Sequence, residues 1–366
     1  FILKMATSLV RIQVVSVGRR DTVYPLISSF GCRLCSSVPP EDKVKRPGFI
    51  KRYLVDSTLG IINSSSNRLE KAYPTVFQIY KTFKTGLSGF TQESREYYNV
   101  STELWAGRSL RDLSRTQLEI LRQVPKDFMK IIPVLVVSFL PGGSGAFPIA
   151  YVFPRQLLSH HFWTEQQCHD FWRRDLKHRL EHLKPILDNM YLMSRHISDT
   201  DMEDKIVKIT KKLQHSVHPT VTEVLEVQPL FSSSPYGLER LSIAYARHLG
   251  KLNKMSLRKK WLKHDAMLLH YADLAMEREG IENMTDFEME RACFWRGLNP
   301  VGLPKRERIQ YLQQWADISR FVDEHSVSML LHLPLLFAYC QPTNRELMGG
   351  WRYRFRRHRS SGSSSP

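Results

Sequence analysis

Between Lys130 and Pro154 the chain reads IIPVLVVSFLPGGSGAFPIAYVF, 23 residues without a charged side chain. Few other features limit a fold so strongly. A helix rising ~1.5 Å per residue over this length matches the ~30 Å hydrocarbon core of a bilayer. Pro133, Pro141, Pro148 and the run Gly142-Gly143-Ser144-Gly145 would be costly in a soluble helix. In a membrane they are tolerated where neighbouring groups satisfy the freed backbone. Lys126 and Lys130 precede the run, Arg155 follows it, and Tyr151, Phe153, Phe162 and Trp163 gather at one end, as membrane interfaces favour. We read 131–153 as one proline-broken transmembrane helix. The alternatives are a re-entrant segment turning at Pro141-Gly142-Gly143, and a soluble core segment.

The rest of the chain is basic, with a net charge of +17 over 366 residues. That balance favours polyanionic surroundings such as nucleic acid, ribosome or anionic lipid. The stretch 1–45 is Arg-rich, Ser-rich and acid-poor, with Arg11, Arg19, Arg20 and Arg33 against Asp21 alone before Pro39. This is the composition of a mitochondrial transit peptide. Within it, Phe1–Lys4 is expected to be an overhang ahead of Met5. The five cysteines are odd in number and dispersed, so no disulfide framework is expected, and Cys32-x-x-Cys35 is read as incidental.

Helical spacing dominates elsewhere, giving an all-α chain. Residues 46–130 form an amphipathic pre-membrane region containing Val76, Tyr80 and Phe83. Ser114 and Gln117 form a capping box, and Pro125 is expected to kink or restart the helix that follows. The helical domain spans 154–340. Thr164 caps EQQCHDFWRRDLKHRLEHL, Thr285 and Glu288 form another capping box, and Gly297 and Gly280 are stops. The last helix, 326–339, is expected to break or kink at Pro334. Residues 341–366 read as a basic, Ser-rich disordered tail.

No nucleotide-binding, phosphate-loop, zinc-protease, EF-hand or nucleophile-elbow motif is present, so no enzyme, cofactor or metal is expected. His178 and His182 share a helix face with Glu181, more simply as a charged surface than as ligands. His160-His161 read as an interfacial or packed pair. Asp127, just before the apolar run, is a candidate cation-binding carboxylate; its plainer reading is a partner for Lys126 or Lys130. Lys254, Arg258, Lys259, Lys260 and Lys263 surround Trp261 and are candidates for ribosomal RNA or anionic lipid. At 3.6 residues per turn, Lys259 and Lys263 share a face and Lys260 is offset.

Three stretches together carry a resemblance: FPRQLLSHHFWT (153–164), ACFWRGLN (292–299) and SVSMLLH (326–332). With DFMKIIP before the apolar run, residues 113–339 resemble the LETM family of mitochondrial inner-membrane proteins, in its shorter form. The resemblance implies an inner-membrane anchor followed by a matrix-facing, ribosome-binding-like helical domain. It marks Arg296, Gly297, Leu298 and Asn299 as a family motif and places Asp127 where the family carries a candidate exchange acid. The EF-hand and long coiled coils of the exchanger members are missing. The expected function is a helical scaffold of the inner membrane supporting mitochondrial structure and respiration, with mitoribosome or respiratory-assembly partners and homo-oligomers considered. The alternatives are a cation/proton exchanger or a subunit of one, and a nucleic-acid-binding regulator. The outer membrane and the nucleus are the alternative locations.

Overall fold

The computed structural model describes residues 74–138 and 146–348. Every regular element among them is helical. The stretch 1–45 expected to be a transit segment, with Cys32 and Cys35, and the tail beyond 348 lie outside the described residues. The chain divides into two compact units, 1–92 and 93–366. The described part of the first is residues 74–92 of helix α1 (Pro74–Trp105).

In the second unit, helix α2 (Arg115–Ser138) starts at the expected capping box. The Ser114 N–H donates to Gln117 Oε1 at 3.2 Å, and the Gln117 N–H to Ser114 Oγ at 3.2 Å. The helix does not restart at Pro125, and α2 runs through both Pro125 and Pro133. Leu118, Leu121, Val124, Phe128, Ile131 and Val134 are buried along one face. Six such side chains, at about 1.5–3 kcal/mol each, outweigh roughly 3 kcal/mol for each proline. Their burial therefore holds the helix together.

Beyond Ser138, residues 139–145 lie outside the described residues, and helix α3 (Ala146–Val152) follows. Among the described residues, no helix is long and apolar enough to cross a membrane. The stretch expected to form one spanning helix is thus described as two helical pieces.

Helix α4 (Pro154–Leu157) and a 3-10 turn (His160–Phe162) lead to α5 (Glu165–Leu180), where Thr164 and Gln167 complete a capping box. Next come α6 (Leu183–Ser194), α7 (Thr200–Gln214), α8 (Val221–Glu226) and α9 (Pro229–Ser232). Then α10 (Ile243–Leu252) and α11 (Lys259–Glu279) follow. The sequence places the starts of these last two earlier, at Gly237 and Ser256. Ser242 caps α10, its Oγ accepting the Tyr245 N–H at 3.1 Å.

Helix α12 (Asp286–Trp295) has the expected Thr285–Glu288 box, and α13 (Lys305–Ser319) follows Pro304. Helix α14 (Ser328–Leu333) continues into a π-helical turn over Pro334–Ala338. Helix α15 (Pro342–Leu347) falls in the stretch expected to be tail, yet Asn344 is fully buried. It donates to the Gly297 and Ala338 carbonyls at 2.9 and 2.8 Å.

The main core gathers α6–α14 around Trp315, Tyr245, Tyr236 and Phe231, while α2 packs along α11. A smaller cluster of Cys168, Trp172, Leu176 and Phe294 joins α5 to α12.

Candidate functional site

The buried face of α2 turns one edge of that helix toward α5 and α12, and a cavity of about 270 Å³ lies there. Aromatic rings from α5, α12 and the turn before α5 wall it. Trp172 stacks on Phe294 with centroids 5.1 Å apart, and Trp163 meets Phe171 edge-on at 4.8 Å. Cations lie over these rings: Arg122 over Trp295 at 5.2 Å, Lys130 over Trp163 at 5.1 Å and Lys254 over Phe294 at 5.7 Å. Such contacts hold a cation out of bulk water at modest cost.

Positive charge is in surplus here. Arg122, Lys126, Lys130, Arg155, Arg179, Lys254 and Arg291 line the cavity against Glu93, Glu119 and Asp175. Glu119 is bound by Arg291 and by Arg115, the latter at 2.8 Å, and Asp175 by Lys254 at 2.8 Å. Arg122 Nη1 is buried without a hydrogen-bond partner among the described residues. Burial, and next the Arg122 charge, push the Lys126 ammonium below its ordinary pKa, against the Asp265 and Asp127 carboxylates. Burial also lowers Lys130, against the Asp127 carboxylate. Arg179 is different. Its guanidinium donates to the carbonyls of Leu252, Phe294 and Trp295 at 2.7, 2.7 and 3.1 Å. Burial lowers its pKa to about 10, so it stays charged at neutral pH.

One end of the cavity holds a second constellation. Asp127 is fully buried. It accepts from Gln123 Nε2 at 3.0 Å and meets His160 Nδ1 at 3.0 Å. Its hydrogen bonds thus go to Gln123 and His160, not to Lys126 or Lys130. The Nε2 atoms of His160 and His161 lie 3.8 and 3.1 Å from the two oxygens of Glu93. The sequence reading missed Glu93, because 67 residues separate it from His160 and no local spacing announces the meeting.

The five basic candidates do not form one patch. Lys254, at φ +52°, turns back to the cavity and Asp175. Lys259 is half-buried and donates to the Glu239 carbonyl at 3.1 Å, while Arg258 and Lys260 are exposed. His178 and His182 also separate: His178 is exposed, and His182 Nδ1 faces His248 Nδ1 at 3.1 Å.

The candidate motif is structural. Arg296 is buried with Asp273, its Nε donating at 3.0 Å. Trp315 Nε1 and Ser319 Oγ complete the Asp273 carboxylate at 2.9 and 2.8 Å. Gly297 sits at φ +87°, where an added Cβ would lie 2.9 Å from Pro334 Cβ. Leu298 is fully buried, and the Asn299 N–H donates to Asn344 Oδ1 at 2.8 Å.

Those buried contacts lie within a wider match. A family profile described as LETM1-like, RBD covers residues 113–336, more than half of the sequence. The chain belongs to the LETM1-like family. It is 28% identical to LETM1 domain-containing protein 1 of Xenopus tropicalis over 88% of this chain and 92% of that one. The same-named protein of Homo sapiens is 27% identical over 78% of this chain and 82% of its own length. A mitochondrial proton/calcium exchanger protein of Drosophila melanogaster is 24% identical over 59% of this chain but 22% of its own length. The LETM1-like match takes in the cavity walls from α2 to α12, whereas Glu93 lies outside it.

Proposed function

We propose that this LETM1-like protein is a helical scaffold of the mitochondrial inner membrane. It is anchored through 131–153, and its C-terminal domain faces the matrix and supports organelle structure and respiration through mitoribosome contact. The observation that carries the reading is a set of large apolar side chains left in solvent on both sides of 139–145. Val136 is 58% exposed and Val152 67%, and Val137, Ile149, Tyr151 and Phe153 are also exposed. A water-soluble surface seldom gathers so many in so short a stretch. Lys126, Lys130 and Arg155 stand beside them, where lipid phosphates would meet the surplus cations of the cavity.

Alkaline-carbonate extraction of mitochondria tests the anchor. Arg at both Val136 and Val137 costs roughly 2.5–3.5 kcal/mol each on insertion scales. Because both side chains are exposed in the folded domain, the change spares the core. The wild-type protein is expected in the pellet and the double variant in the supernatant; a pelleted double variant places the anchor elsewhere.

A second reading, cation/proton exchange, draws on the buried Asp127–His160 pair and on the name of the Drosophila relative. Ion flux in liposomes holding the purified chain, lost in Asp127→Asn, would favour it.

A further inference from the structure

His160 and His161 are consecutive residues of one 3-10 turn, yet both rings aim the same way. Their centroids are 4.0 Å apart and their planes 36° from parallel. Both Nε2 atoms face Glu93, and one ligand atom from each of the three residues lies within 4.8 Å of those of the other two. Behind the rings, each Nδ1 is held by a separate group: His160 by Asp127 Oδ2 at 3.0 Å, His161 by Ser159 Oγ at 3.1 Å. A metal-binding histidine is built this way, with one nitrogen on the ion and the other fixed by a carboxylate or oxygen behind it.

The proton positions sharpen the point. A carboxylate accepts only, so the Asp127 contact requires a hydrogen on His160 Nδ1. In the neutral ring the lone pair is then on Nε2, directed at a Glu93 oxygen 3.8 Å away. Two lone pairs facing across that gap repel unless a proton or a cation lies between them. Two metal–ligand bonds of ~2.0–2.1 Å meeting at a tetrahedral angle end about 3.4 Å apart. Each histidine lies near that span from one Glu93 oxygen, His161 at 3.1 Å from Oε2 and His160 at 3.8 Å from Oε1.

We propose that Glu93, His160 and His161 bind a divalent transition-metal ion of the zinc class, with Asp127 and Ser159 fixing the two imidazoles. Two nitrogens and a carboxylate suit zinc. Calcium and potassium do not match, since hard cations collect six or more oxygens. Three protein ligands leave a fourth position, and both Glu93 and His160 line the cavity, so that position opens toward the basic, aromatic-walled space. The charges of Glu93 and Asp127 balance a divalent ion, while Arg291 and Lys130 nearby work against tight binding. The ion would also clip Glu93 to the turn before α5.

The test uses the tag-free full chain in detergent, titrated with Zn2+ against a chromophoric chelator. One equivalent is expected in the wild-type protein. Binding is expected to vanish in the His160→Gln, His161→Gln double variant. Asp127→Asn keeps every ligand, and its affinity is expected to drop 10- to 100-fold. Circular dichroism reports whether each variant folds. Should the histidine variant fail to fold, Co2+ added to the wild-type chain decides. Ligand-field bands of a four-coordinate site with two imidazoles are expected, and a purely aquo spectrum overturns the proposal. Undiminished binding in a folded double variant would also overturn it, by assigning the metal to other histidines.

Discussion

Two buried polar centres stabilise the LETM1-like domain at the level of single residues. In one, Asp273 accepts from Arg296, Trp315 and Ser319, and these bonds offset the desolvation cost of burying its ion pair. In the other, His332 donates from Nδ1 to the Ser328 carbonyl at 2.7 Å and accepts at Nε2 from the Tyr245 hydroxyl at 2.9 Å. That ring is neutral, and burial lowers its pKa from 6.5 to about 4. His218 is lowered likewise, with Nε2 accepting the Cys340 N–H at 3.0 Å. A base whose folded pKa is depressed binds more protons when unfolded. Stability is therefore complete above about pH 6.5 and falls as pH drops toward 4, by up to about 3 kcal/mol for fully buried His332. Urea denaturation midpoints between pH 7 and 4.5 are expected to decline, and His332→Gln, which carries no titrating ring, is expected to flatten the decline while being less stable at pH 7. Midpoints that hold or rise in acid would contradict this account.

Helix starts are where local chemistry did most. Glu288 shows how one cap serves two elements: Oε2 accepts the Thr285 N–H at 2.9 Å, and Oε1 takes Arg115 of α2 at 2.6 Å. Burial raises the Glu288 pKa, but the Arg115 and Thr285 bonds outweigh it and hold the carboxyl at about 2. Thr285→Ala is expected to destabilise the domain by about 1 kcal/mol in chemical denaturation, and Thr285→Ser to recover most of it. An unchanged Thr285→Ala midpoint would mean the cap contributes nothing. The capping boxes at Ser114 and Thr285, the Thr164 cap and the Gly280 and Gly297 stops were legible because each lies within a few residues of sequence. The continuity of α2 through Pro125 was not legible, because it depends on α11, more than a hundred residues away. Helix α15 was hidden for the same reason: Pro342–Leu347 has a polar composition, and contacts to Gly297, Asn299 and Ala338 order it.

Across the described residues, basic side chains gather in two places, the cavity and the start of α11, and the two have different availability. Lys259 and Lys263 share a face, but the Glu239 carbonyl already engages Lys259. Arg258→Glu with Lys260→Glu is now expected to weaken mitoribosome co-sedimentation more than Lys259→Glu with Lys263→Glu, with a steep salt dependence. The reverse order would return the contact to the half-buried face. The cavity itself was illegible in the sequence, since it joins Glu93, α2, α5 and α12 from positions 93 to 295. Its floor is fixed by Arg179, and the three carbonyls on that guanidinium have a common origin. Leu252 closes α10, and Phe294 and Trp295 close α12. Both helices therefore end at the same point, each bringing a partial negative pole of about half a charge. Two such poles repel at close range. A single cation between them converts that repulsion into a junction, and it lets two helices from distant parts of the chain terminate against each other beneath the ligand-sized space.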